Sequence, residues 1–204
     1  MLKHFFFFLT AISFFSSAAL AENGIYTTAE SGIATQTRLP SAEDVGATHI
    51  ATNTIPSAFR IALGYNHDLS LDWGLGFELG YGWYGKTRYA YNTGEDTTVR
   101  STALEFLFVG TRHLNTQWDG FLKLGVARLL PNISGQNASA VDNATVSFES
   151  AIGTTYHINR HLGLTLTYAN VYGRHSTNIP DMANNAPGLN EFLLGIKYTF
   201  ASSS

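Results

Sequence analysis

Leu71-Asp72-Trp73-Gly74-Leu75-Gly76-Phe77-Glu78-Leu79-Gly80-Tyr81-Gly82-Trp83-Tyr84 is the stretch that decides the fold. Leu71, Trp73, Leu75, Phe77, Leu79, Tyr81 and Trp83 occupy every second position. Asp72, Gly74, Gly76, Glu78, Gly80, Gly82 and Tyr84 occupy the others. Successive side chains of a strand point to opposite faces. One face is therefore bulky and aromatic-ended, the other small and polar. A soluble sheet buries its large apolar face. A closed interior has little room for seven bulky groups, but hydrocarbon outside has ample room. The stretch reads as a strand with its greasy side in lipid and its polar side in a lumen.

The same alternation recurs along the chain. Phe59, Ile61, Leu63 and Tyr65 alternate with Arg60, Ala62, Gly64 and Asn66. Leu104, Phe106 and Phe108 share a face opposite Glu105, Leu107 and Val109. Trp118, Leu122, Leu124 and Val126 oppose Lys123, Gly125 and Ala127. Val146, Phe148, Ile152 and Tyr156 oppose Ser147, Glu149, Gly153 and His157. Leu162, Leu164, Leu166 and Tyr168 oppose Gly163, Thr165, Thr167 and Ala169. Phe192, Leu194, Ile196, Tyr198 and Phe200 oppose Leu193, Gly195, Lys197 and Thr199. A weaker segment, Ile25 to Ala34, supplies a first strand with Glu30 facing inward. That makes eight strands. Short connections near residues 66–68, 113–117 and 159–160 alternate with long ones near 36–56, 86–99, 130–143 and 171–189. An open sheet in lipid would leave backbone groups unpaired, so the strands must close. The expected fold is all-β, a closed antiparallel eight-stranded up-and-down transmembrane barrel. Its long loops are extracellular and its termini periplasmic.

Composition narrows the function. Of 204 residues, 12 are Lys or Arg and 15 Asp or Glu, a formal net charge of −3 with no basic cluster, which excludes nucleic acid as a partner. The absence of Cys removes disulfide frameworks and thiolate metal sites. The seven His show no metal-ligand spacing, so neither a metal nor a cofactor is expected. Lys3 and His4 precede an apolar run from Phe5 to Leu20, and Ala19-Leu20-Ala21 fits a small-x-small cleavage rule. Residues 1–21 therefore read as a cleaved signal peptide and 22–204 as the barrel domain.

The last strand, Phe192-x-Leu194-x-Ile196-x-Tyr198-x-Phe200, resembles the C-terminal signature read by the outer-membrane assembly machinery, although Ala201-Ser202-Ser203-Ser204 follow it. The mature chain as a whole resembles the small eight-stranded outer-membrane proteins, the OmpA/OmpX-like barrels. That resemblance implies the outer membrane of a Gram-negative bacterium, reached through the periplasm, with membrane lipid and lipopolysaccharide as surroundings.

Eight strands enclose a lumen that side chains fill. A buried charge needs a partner. Arg60 and Glu78 are equidistant from a turn centred near position 69 and are expected to be direct cross-strand neighbours. Glu105 and Lys123 are related in the same way about position 114, and Lys123 and Glu149 about position 136. Two lumen clusters follow, Arg60–Glu78 and Glu105–Lys123–Glu149, with Lys197 and Glu30 nearby. Interior glycines are expected to leave room for these long side chains. The clusters read as a plug. The alternative is a small-solute or ion channel with a salt-bridge gate, which resembles the salt-bridge exchange proposed for OmpA-like barrels.

A third reading is enzymatic. Arg174-His175-Ser176-Thr177-Asn178, followed by Asn185-Ala186-Pro187-Gly188-Leu189-Asn190-Glu191, resembles the motifs of lipid A deacylases. The resemblance implies His175, Ser176, Thr177 and Glu191 as the catalytic candidates. The position two after His is Thr177 where that family carries Ser, and the acid is displaced. The expected role is therefore non-enzymatic: structural, or adhesin-like through loops that meet a host or extracellular ligand. Tyr84, Tyr89 and Tyr91, with Lys86 and Arg88, read as an interfacial belt able to face lipopolysaccharide.

Overall fold

A computed structural model describes residues 24–37, 49–52, 57–90, 96–134, 145–172 and 188–200. The strands are β1 (Gly24–Thr37), β2 (His49–Thr52), β3 (Ser57–Asp68), β4 (Trp73–Ala90), β5 (Asp96–His113), β6 (Trp118–Ser134), β7 (Thr145–His157), β8 (Leu162–Val171) and β9 (Gly188–Thr199). Every pairing is antiparallel. β1 pairs with both β3 and β9, and β4 pairs with β5, so eight strands close into a barrel. The described residues contain no helix. The expected signal peptide lies outside the described residues.

The side-chain distribution is the reverse of a soluble core. Leu79 is 51% exposed on the outer face, whereas its neighbour Glu78 is fully buried. Trp73 and Phe77 also face out, while Arg60 lies inside at 3% exposure. In β3 exposure alternates residue by residue, with Phe59, Ile61, Leu63 and Tyr65 outside and Ala58, Arg60, Ala62 and Asn66 inside. Aromatic pairs such as Phe59–Trp83 and Trp118–Tyr156 stand on the outer face, at its extracellular and periplasmic ends.

Two expectations about connections change. The segment 86–99, read as a long loop, is mostly strand, because β4 runs to Ala90 and β5 starts at Asp96. Beyond the apolar band both faces of a ribbon are wet, so its sequence loses the period that would reveal it. The short β2 adds to β4 there, from His49 opposite Ala90 to Thr52 opposite Thr87. The first short turn also sits further along the chain than expected, whereas those near 113–117 and 159–160 fall where they were read. β3 continues to Asp68 and β4 begins at Trp73, so Leu71 lies in the turn and not on a strand.

Candidate functional site

The lumen holds one charge network centred on Arg60. Its Nε donates to Glu105 Oε2 at 2.6 Å, its Nη1 to Glu30 Oε2 at 3.0 Å and its Nη2 to Glu78 Oε1 at 2.6 Å. Four strands meet at this guanidinium: β1, β3, β4 and β5. Lys123 on β6 donates to both oxygens of Glu78, at 2.9 and 3.0 Å. Tyr26 donates its hydroxyl to Glu78 Oε2 at 2.9 Å, and Tyr84 donates to Glu105. Thr167 and Thr165 on β8 donate to Glu30 Oε1 at 2.7 and 3.2 Å. Arginine suits the central position because its fork offers five donors in a fixed plane. These are charge-assisted bonds in a closed interior, so breaking one leaves a buried charge exposed to little else.

The expected pairs are corrected. Arg60 lies opposite Gly82, and Glu78 opposite Gly64, so the two are not direct cross-strand neighbours. The turn between them centres on position 71, two residues beyond the expected point. They still meet because both side chains are long enough to close the four-residue offset between these neighbouring strands on the inner face. Glu105 does not join Lys123, which lies opposite Val109 and reaches across to Glu78. Glu149 lies opposite Gly125, not Lys123, and its Oε2 has no hydrogen-bond partner among the described residues. The two expected clusters are one network, and Glu149 stands apart from its hydrogen bonds. Lys197 is inside, with Nζ 4.5 Å from the centre of the Tyr26 ring. Tyr84, read as part of an interfacial belt, is buried in the lumen instead.

Glycines make the space. A Cβ on Gly80 would lie 2.5 Å from Glu105 Oε2 and 2.9 Å from Arg60 Nη2. A Cβ on Gly195 would lie 2.6 Å from Cγ of Glu30.

Above and below the network the lumen is also filled. Toward the extracellular end Leu129, Val171, Leu189 and Leu193 are fully buried inward and cluster with Tyr84. Toward the periplasm a cavity of about 20 Å³, lined by Asn66, Glu78, Asp119, Phe121, Lys123 and Thr155, is the size of one water. At that end Asp119 Oδ1 meets His113 Nδ1, and Asp119 Oδ2 meets His157 Nε2, each at 2.8 Å. His113 Nε2 lies 3.2 Å from Asp68 Oδ1. Sequence reasoning missed this lock, although Asp119 and His157 both have inward parity on neighbouring strands. It also gave Tyr26, Thr165 and Thr167 no role.

Of the deacylase-like candidates, His175, Ser176 and Thr177 lie outside the described residues. Glu191 is buried in the lumen on β9. Phe192, Leu194, Ile196, Tyr198 and Phe200 form the outward stripe of β9 and the residue after it.

The family model described as "OmpA-like transmembrane domain" matches residues 20–204. An uncharacterized protein of Coxiella burnetii is 28% identical over 112 residues, covering 52% of this chain and 44% of that protein. The chain therefore aligns with less than half the length of that curated relative. Among solved structures, Neisserial surface protein A superposes with a TM-score of 0.55 at 14% identity, covering 91% of this chain and all of that one. The outer membrane enzyme PagL superposes with a TM-score of 0.49 at 12% identity, over 86% of this chain and 99% of that one.

Proposed function

The chain belongs to the family of OmpA-like transmembrane domains of the outer membrane, and from that premise we propose that it is a closed, non-enzymatic barrel that stabilises the membrane and displays its long loops to external ligands. The observation that carries this reading is the enclosure of Arg60 by Glu30, Glu78 and Glu105 beneath a layer of buried leucines. Among the described residues both ion pairs and apolar side chains fill the lumen, which supports a closed barrel. Glu191 points inward, away from any acyl chain in the surrounding lipid, which supports the non-enzymatic reading. The outward stripe from Phe192 to Phe200 serves as the segment engaged by the outer-membrane assembly machinery.

Planar-bilayer recording of the purified chain tests the seal. Steady conductance of the unmodified barrel would overturn it. Lipid A profiling of a deletion strain tests the absence of acyl hydrolysis; acyl loss dependent on His175 would overturn that part. Loop replacement followed by host-matrix binding assays tests the display role, and unchanged binding after replacement of every long loop would remove it.

The sharing of Glu78 between Arg60 and Lys123 favours a second reading, a gated conductor. One carboxylate held by two cations can pass wholly to either. In that case Glu105→Gln and Lys123→Met would each change conductance.

A further inference from the structure

We propose that Arg100 and Arg128 form an outward-facing site for the phosphates of the outer-leaflet glycolipid. The inference deepens the membrane reading above and rests on it. Among strand residues whose side chains are described, the outer face carries three charges besides histidine, and all three are arginines: Arg100, Arg112 and Arg128. None shares that face with a carboxylate among the described residues. A charge that faces hydrocarbon is disfavoured unless it reaches the headgroup region.

Their depths separate them. Arg112 lies opposite Trp73 near the periplasmic turns, with its guanidinium 5.3 Å from the indole centre. Arg100 is twelve residues up the same strand, and at the rise and tilt of barrel strands that is about 30 Å along the membrane normal. Between them the outer face presents Thr102, Leu104, Phe106, Phe108 and Gly110. Arg112 and Arg100 thus bracket the apolar band. Arg128 is ten residues above the interfacial Trp118 on β6, about 25 Å higher, at the upper edge of that band.

Arg128 sits beside Leu104, four residues from Arg100 on the neighbouring strand. The two Cα atoms are therefore about 14 Å apart, and two arginine side chains can close on one phosphorylated headgroup from both sides. Each guanidinium offers a bidentate fork that matches a phosphate. Among the described residues neither is paired with a carboxylate or stacked on a ring. The outer leaflet supplies phosphate at this level, and a phosphorylated glycolipid is the occupant that fits both the charge and the depth.

The test uses the full chain in nanodiscs containing either bisphosphorylated lipid A or its dephosphorylated form, with native mass spectrometry counting retained lipid. The unmodified chain is expected to retain the phosphorylated form on the order of tenfold better. The double variant Arg100→Gln/Arg128→Gln should lose that preference, and Arg112→Gln should keep it. Equal retention of both lipids, or a preference surviving in the double variant, overturns the proposal. Because the chain has no Cys, a single Leu79→Cys label, near the middle of the apolar band, reports depth independently. Quenching of that label by brominated lipid tails is expected. Quenching only from water would mean that the membrane placement itself had failed, and the site with it.

Discussion

Arg60 and Glu78 form a 2.6 Å ion pair although each lies opposite a glycine on the other's strand. The contact joins neighbouring strands of one hairpin but lies four residues off the ladder register, so it depends on two long side chains reaching toward each other on the inner face. Arg60 also gathers Glu30 from β1 and Glu105 from β5, so its partners come from both sides of its own strand.

Arg60→Met should be the most damaging single lumen substitution. It leaves three buried carboxylates without their common cation, and such breakage costs about 3–5 kcal/mol. Urea unfolding in lipid vesicles measures the loss. Lys123→Met should cost less, about 1–3 kcal/mol, because Glu78 keeps Arg60 and Tyr26 as donors. Equal losses for the two variants would refute the central place given to Arg60.

Gly80→Ala should destabilise by about 1–3 kcal/mol, since the added methyl crowds two side chains fixed by ion pairs. Gly120→Ala provides the control. The nearest atom to its Cβ is 3.9 Å away. The same unfolding assay should separate the two by well over its error.

Depth along the outer face should be legible in arginine substitutions. Leu79→Arg places a cation near the middle of the apolar band and should cost about 2–4 kcal/mol. Thr102→Arg, opposite Trp83 near the upper edge, should cost about 0–1 kcal/mol. A cost independent of position would contradict a bilayer around the barrel.

Asp119→Asn should loosen the periplasmic end. Asp119 ties His113 and His157 from the two neighbouring strands, and the amide cannot accept from both with the same strength. A loss of about 1–3 kcal/mol is expected. Faster amide exchange should be confined to the ends of β5, β6 and β7, while the exchange near Arg60 stays unchanged.

The sequence by itself determined the eight barrel strands and the face that most of their side chains take, Tyr84 being an exception. Period-two alternation is a local property, and a strand can satisfy it in only one way once lipid surrounds it. Trp73, Phe77 and Leu79 are outside, and Arg60, Glu78 and Glu105 inside, because moving either set costs desolvation or loses burial in hydrocarbon. What only the tertiary structure decided is who meets whom. A two-residue shift in the turn after β3 leaves parity intact but moves Arg60 from Glu78 to Gly82. Long side chains then reach past the ladder partner, so Arg60 and Glu78 are joined by Glu30 from β1, Glu105 from β5 and Lys123 from β6. Alternation carries no information about how far a strand is staggered or how the ring closes, and those two quantities assembled Glu30, Arg60, Glu78, Glu105 and Lys123 into one network.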